Sequence, residues 1–283
     1  MRKILRSVIA GMILILVGAS ACAQSKSSTA SGNVQILAPI PMPGLERERT
    51  LRIYLPPGYA TSDKRYPVLY MHDAQNLFDA ATSYAGEWEV DETLDALAKS
   101  GGLELIVVGI DNGGDKRINE LLPWPSPRFN PAQGEQYMAF VVGTVKPLID
   151  ARFRTLPDRA NTAIMGSSLG GLISHYAIHQ YPQVFSKAGV FSPSYWIAPQ
   201  VYEFSGSHTL PPDSRMYILV GGKEGEDTVP NVQRMTALEL ANGLPASNLQ
   251  TLVVPNGEHN EALWRSEFRA AVLWLFARPA KTP

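Results

Sequence analysis

The chain has a single cysteine in 283 residues, which excludes an internal disulfide and any zinc site of the CxxC type. It has no surplus of either charge: 25 Lys and Arg stand against 26 Asp and Glu, a net charge of -1. Without a polybasic footprint, nucleic acid is excluded as a partner. No sequence repeat of about 20–50 residues is present, so solenoids and propellers are out. No apolar run reaches the roughly 20 residues that a membrane-spanning helix needs. Only 18% of residues are charged while 45% are apolar, a balance that excludes disorder. A chain of this length buries a full core without staples.

What is present begins with an address. Arg2, Lys3 and Arg6 precede an uncharged apolar run from Val8 to Val17, followed by the small residues Gly18 to Ala23. Basic, apolar, then small is the order of a secretory signal peptide, assigned to residues 1–23. Ala21-Cys22-Ala23 fits a cut that releases a soluble protein. Ala19-Ser20-Ala21 before Cys22 fits a bacterial lipobox, which would place lipid on that cysteine. Both remain open. Loss of the three basic residues leaves a mildly acidic net charge of -4. Residues 24–32 (QSKSSTASG) are small, polar and aperiodic, and are expected to form a flexible tether.

From residue 33 to 283 the pattern predicts one domain. Apolar runs predict strands at 50–55, 67–71, 105–110, 162–165, 188–191, 216–220 and 249–254. Amphipathic stretches predict helices at 88–99, 135–151, 169–181, 232–241 and 261–277. The middle strands are almost wholly apolar, as in parallel strands buried on both faces. The alternation predicts an α/β fold, a mostly parallel central sheet with helices on both faces. Residues 33–56 read as an antiparallel entry. The long connections 72–87, 111–134 and 192–215, rich in Gly, Pro, Asn and Trp, are where a site is expected.

Gly166-Ser167-Ser168-Leu169-Gly170 is a G-x-S-x-G motif between the apolar TAIM and the helical LGGLISHYAIHQY. That strand–turn–helix context is what a nucleophile elbow requires, and it selects Ser168 as nucleophile. A serine hydroxyl needs a base near neutral pH. Of five histidines, only His259 follows both the elbow and the acidic segment, in the order Ser, acid, His. The acid is expected in KEGED after the strand 216–220. Glu224, nearest the strand end, is favoured, with Glu226 and Asp227 as alternatives. Glu258 is discounted because neighbouring side chains in an extended loop diverge. The backbone N–H of Leu169 supplies one oxyanion donor, and the loop MHDAQNLFD supplies the second at Gln75, with Ala74 as the neighbouring option. His72 and Asp73 lack further spaced ligands for a metal. His175 and His179 form H-x-x-x-H, but with Tyr176 where a metalloprotease carries its Glu they read as helix packing, so no metal is expected. Arg117 is a candidate for a substrate carboxylate or for pairing with Glu120.

VLYMHDAQNLFD, IDNGGDKRINELLPW, MGSSLGGLISHYAIHQYP, FSPSYW and GEHNEALWR together resemble the esterase D-like, enterochelin esterase-like family of α/β-hydrolases. The resemblance runs from about residue 46 to 276. It implies the α/β-hydrolase fold, the nucleophile at Ser168, the base at His259 and the acid in GGKEGE, closest to Glu224. Members commonly carry Gly where this chain has Ala74, and Tyr where it has Leu121.

These readings predict a serine carboxylic-ester hydrolase that needs no cofactor. With no large insertion between residues 191 and 216, no lid domain is expected and the cleft is open. Trp88, Trp124 and Trp196 are candidates for stacking on sugar or aromatic rings. With the export address, they favour small-molecule or carbohydrate-linked esters outside the cytoplasm: sugar-linked acetyl or feruloyl esters, or siderophore esters. The alternatives are an acyltransferase of the same fold and a non-catalytic binding lipoprotein. Contact with a membrane would come only through a lipid on Cys22.

Overall fold

The computed structural model describes residues 27–277, so the signal peptide and Cys22 lie outside the described residues. Ten strands form among the described residues: β1 (Val34–Ile36), β2 (Ile40–Met42), β3 (Arg47–Arg49), β4 (Leu51–Tyr54) and β5 (Val68–His72), then β6 (Ile106–Ile110), β7 (Thr162–Ser167), β8 (Lys187–Phe191), β9 (Arg215–Gly221) and β10 (Leu249–Val254). Eight of them make one sheet in the order β1-β4-β6-β5-β7-β8-β9-β10, while β2 and β3 pair separately as a hairpin. The strands from β6 to β10 in that order run parallel, and β1 and β4 join antiparallel at one edge. The antiparallel entry is therefore split between the main sheet and the hairpin.

The continuous apolar runs follow from burial on both faces. In β5, Val68 and Tyr70 enter one core and Leu69 and Met71 the other; in β7, Ile164 and Met165 divide the same way. Successive side chains point to opposite faces of a strand, so covering both faces requires every position to be apolar. One face is covered by α1 (Val90–Lys99) and, from the far end of the chain, a helix that begins at Glu261. Between them come α2 (Arg117–Glu120), α3 (Gly134–Phe140), α4 (Lys146–Arg152), α5 (Leu169–Gln180), α6 (Gln200–Ser207) and α7 (Thr228–Ala241); the last helix, Glu261–Leu275, is α8. A π-helical turn, Val141–Val145, joins α3 to α4, so the helix expected at 135–151 is one continuous rod. Residues of α3 to α7 belong to the core on the opposite face.

Segment 192–215, read as loop, contains α6. Pro199 precedes the helix and its Val201, Tyr202 and Ser205 are buried, which stabilises a turn-rich stretch as a short helix. This connection is the whole of what separates β8 from β9, and no lid domain rises from it. Residues 28–31, expected as tether, are instead docked on the domain. Ser28 Oγ donates to Asp79, Thr29 Oγ1 to Glu87 and the Ser31 N–H to Asp91.

β5 has β6 on one side and β7 on the other, so the chain reverses its direction of travel across the sheet at β5. Ligand sites in open α/β sheets form outside the carboxyl ends of the strands at such a point.

Candidate active site

The carboxyl ends of β5, β6, β7 and β9 carry Asp73–Gln75, Asn112, Ser168 and Glu224. Ser168 stands at the turn from β7 into α5 with φ 60° and ψ -120°, a conformation costing about 1–3 kcal/mol for a non-glycine residue. Its N–H donates to the Phe191 carbonyl at 2.9 Å, and the Ser194 N–H donates to its own carbonyl at 3.1 Å. Gly166 permits the elbow: a Cβ there would lie 2.8 Å from the Gly170 backbone. Ser168 Oγ and Ser194 Oγ are 3.2 Å apart, and among the described residues no hydrogen bond yet joins Ser168 to His259.

His259 lies in the turn before α8, which Asn260 caps by accepting the Leu263 N–H at 3.1 Å. Its Nδ1 is 2.9 Å from Glu224 Oε2, and donation from that nitrogen leaves the Nε2 lone pair available as a base. The Glu224 side chain is fully buried while His259 is 41% exposed, so the pair runs from interior to cavity. Glu224 Oε1 accepts the Ser192 hydroxyl at 2.6 Å and the Gly221 N–H at 2.7 Å. Glu226, Asp227 and Glu258 are exposed and do not reach His259. Trp264 meets the imidazole edge-on at 5.2 Å and donates its Nε1–H to Ser192 Oγ at 2.8 Å.

The Gln75 side chain pairs both ways with Asn112: Nε2 donates to its carbonyl at 3.2 Å, and its N–H donates to Oε1 at 2.9 Å. The backbone N–H groups of Gln75 and Leu169 have no partner among the described residues. Ala74 is fully buried, and its methyl faces Gly109 of β6, where a Cβ would sit 2.8 Å away. The extra methyl is thus accommodated by a missing one.

Arg117 pairs with Asp73 through two hydrogen bonds of 2.5 and 2.8 Å, not with Glu120. Glu120 is instead buried between Arg47 and Arg49. Burial alone would raise the Asp73 carboxyl, but the Arg117 guanidinium and bonds from Arg117 and Asn112 hold it below the usual range. Beside it, burial pushes the His72 imidazole down to about 4, and its Nδ1 meets the Tyr137 hydroxyl at 2.7 Å.

His175 and His179 are buried, with Nε2 atoms 3.5 and 3.0 Å from Glu239 Oε1. Burial would raise that carboxyl, but the hydrogen bonds and charge of the two imidazoles overcome it and hold it at about 2. Each ring nitrogen has a hydroxyl, carbonyl or carboxylate partner, which makes this a satisfied core cluster.

Ser168, His259, Gln75, Asn112 and Arg117 line one open cavity of about 620 Å³, with Tyr84, Trp264 and Glu261. A larger hollow of about 740 Å³, at the amino ends of the parallel strands near Pro67 and Lys187, holds none of the candidate residues. The three tryptophans expected as platforms do not line the cavity. Trp88 is 3% exposed and stacked on Phe191, Trp124 packs on Tyr176 and Phe204, and exposed Trp196 lies elsewhere. Tyr84, 94% exposed, is the aromatic ring at the cavity edge, and the sequence offered no pattern to find it. Ser192 and Trp264 were also missed as site residues, although both lie inside motifs that carry the family resemblance.

The chain is 26% identical over 248 residues to an uncharacterized protein, YbbA, of Bacillus subtilis, covering 83% of this chain and 95% of that one. It is 25% identical over 224 residues to an endo-1,4-beta-xylanase/feruloyl esterase of Xylanibacter ruminicola, covering 77% of this chain and 28% of that longer protein. Among solved structures it superposes on the enterobactin esterase of Shigella flexneri with TM-score 0.71 at 20% identity, over 86% of this chain and 58% of that one. A ferulic acid esterase superposes with TM-score 0.65 at 18% identity, over 86% of this chain and 98% of that one. At such identities the superpositions establish the α/β-hydrolase fold. The profile of the Putative esterase family matches residues 43–275, nearly the whole described domain, and the chain belongs to that family as a carboxylic ester hydrolase.

Proposed function

We propose that this ester hydrolase works through Ser168, His259 and Glu224, by way of an acyl-enzyme, on short or polar acyl esters outside the cytoplasm. The observation that carries the reading is the buried Glu224 bonded to His259 Nδ1, at a cavity whose wall also holds the elbow serine. The Ser168 hydroxyl rotates from Ser194 toward His259 Nε2, gives up its proton there and attacks the ester carbonyl. The oxyanion is received by the free N–H groups of Leu169 and Gln75, at the amino end of α5 where the helix dipole favours negative charge. The imidazolium, stabilised by Glu224, returns its proton to the departing alcohol. Water activated by the same imidazole then releases the acid.

Three observations support the substrate class. The cavity is open, and Gln75, Asn112, Arg117 and Glu261 among its lining side chains offer polar groups to a hydroxyl-rich or charged alcohol. Tyr84 gives its rim an exposed aromatic face for a sugar or phenolic ring. Two of the proteins named above are a feruloyl esterase and an enterobactin esterase, and the basic, apolar, small-residue start of the chain supports export.

The test is hydrolysis of p-nitrophenyl acetate, butyrate and octanoate by the purified protein beside Ser168→Ala. Turnover of the short esters that disappears in the variant is expected, with octanoate the poorest of the three. Equal rates in both proteins would overturn the assignment of Ser168.

A further inference from the structure

Where residues 28–31 dock on the domain, three carboxylates crowd together without a counter-charge. One oxygen from each of Glu87, Asp91 and Glu92 lies within 4.8 Å of the others. Among the described residues none of the three has a Lys or Arg within 4.0 Å; Arg265 pairs with Glu89 instead. Closeness alone is common among acidic residues at a helix amino end. The orphaned oxygens are not.

Glu87 is 6% exposed and Asp91 fully buried, yet Glu87 Oε1 and Asp91 Oδ1 have no hydrogen-bond partner. Glu92 Oε2 and Ser31 Oγ are likewise buried and unpartnered. The other oxygens of the buried pair are used: Glu87 Oε2 accepts Thr29 Oγ1 at 2.7 Å, and Asp91 Oδ2 accepts the Ser31 N–H at 2.7 Å. The N-terminal segment therefore seals the cluster with neutral donors, leaving one acceptor on each carboxylate unused. An unpaired buried acceptor costs about 1–3 kcal/mol, and more when charged. Several of them together, on like-charged groups, need a common partner that is positive and takes oxygen ligands.

We propose that Glu87, Asp91 and Glu92, together with Ser31, form a calcium-binding site that fastens the N-terminal segment to α1. Oxygens around Ca²⁺ lie at about 2.3–2.6 Å from the ion, so a set of oxygens all within 4.8 Å of one another can share one ion. The ligand set is all oxygen, as a hard cation demands, with no imidazole or thiolate to favour zinc or copper. The site stands apart from the Ser168 cavity and does not rest on the proposed mechanism.

Thermal unfolding and calorimetric titration of the purified protein with CaCl2, after treatment with EGTA, test the proposal. At about 10 mM Ca²⁺ the expected result is a saturable rise in Tm of about 5 °C, with one ion bound per chain. MgCl2 should give a smaller rise, because Mg²⁺ sheds its waters reluctantly. Asp91→Asn and Glu92→Gln should each abolish the calcium response. Absence of both the Tm rise and the binding heat in the unaltered protein would overturn the site, whatever the variants do. A response that survives in both variants would overturn it too. So would stability that rises with acidification while ignoring calcium, the mark of carboxylates that only share protons.

Discussion

The Ser192 hydroxyl sits between two residues of the site, Glu224 and Trp264: it donates to Glu224 Oε1 at 2.6 Å and accepts Trp264 Nε1–H at 2.8 Å. With the Gly221 N–H it saturates one carboxylate oxygen and turns the other toward His259. Ser192 holds φ 44°, in the left-handed region, so the bend that aims its side chain is built into the backbone after β8. Ser192→Ala should lower kcat about tenfold with a smaller change in KM, because the carboxylate keeps its charge but loses a fixed orientation. Steady-state kinetics on p-nitrophenyl acetate decide it; unchanged kcat would show that Gly221 alone suffices.

Glu224→Gln should cost about 10³-fold in kcat while the fold is retained. The amide removes the charge that supports the imidazolium and can present a donor to His259 Nδ1, favouring the wrong tautomer. Activity measured beside a circular dichroism spectrum separates this from unfolding. A loss of less than tenfold would move the acid's role elsewhere.

Gln75→Ala retains the backbone N–H assigned to the oxyanion but removes the two hydrogen bonds that hold it to Asn112. We expect kcat to fall about 10–100-fold with KM little changed, since the donor acts mainly in the transition state. A rise in KM alone would instead mark Gln75 as a substrate-binding side chain.

His72 makes stability depend on pH. Its ordinary value is 6.5, and burial lowers it to about 4 in the folded protein. Below pH 6.5 the unfolded chain takes up a proton that the folded state refuses, so this contribution is complete above 6.5 and is lost as pH falls toward 4. Between pH 7 and 5 the loss is about 2 kcal/mol. His72→Gln, which can still meet the Tyr137 hydroxyl, should show a pH 7-to-5 difference smaller by that amount in urea unfolding. Identical differences would refute the assignment.

Gly171 lets α5 press against the sheet: a Cβ there would lie 2.6 Å from the Phe191 carbonyl oxygen. Gly171→Ala should destabilise the protein by about 3 kcal/mol, read in urea unfolding, and depress activity by shifting the elbow. A variant as stable as the parent would show that the helix can move away without cost.

The apolar runs and their spacing placed the seven predicted strands and the five predicted helices, because a strand buried on both faces must be apolar throughout. Segment 192–215 hid α6 because eight residues starting after a proline carry too short a pattern to be told from loop. Motif and chain order singled out Ser168 and His259 as candidates, and distance from the strand end only favoured Glu224 over Glu226 and Asp227; the contact of Glu224 with His259 comes from the fold. Asp73 and Arg117 were not legible as a pair: 44 residues separate them, and only the parallel pairing of β5 with β6 brings the two loops together. The same holds for Ser192 with Trp264, and for Ser31 with Asp91.

What the sequence by itself determined was the layered α/β fold, the elbow and the order of its partners, since these depend on local periodicity and on turns that tolerate few residues. The tertiary structure alone decided which carboxylate faces the imidazole, which aromatic ring borders the cavity and which buried oxygens go unpaired. Those are matters of proximity between distant segments, and side-chain direction at a few ångströms has no periodicity to be read.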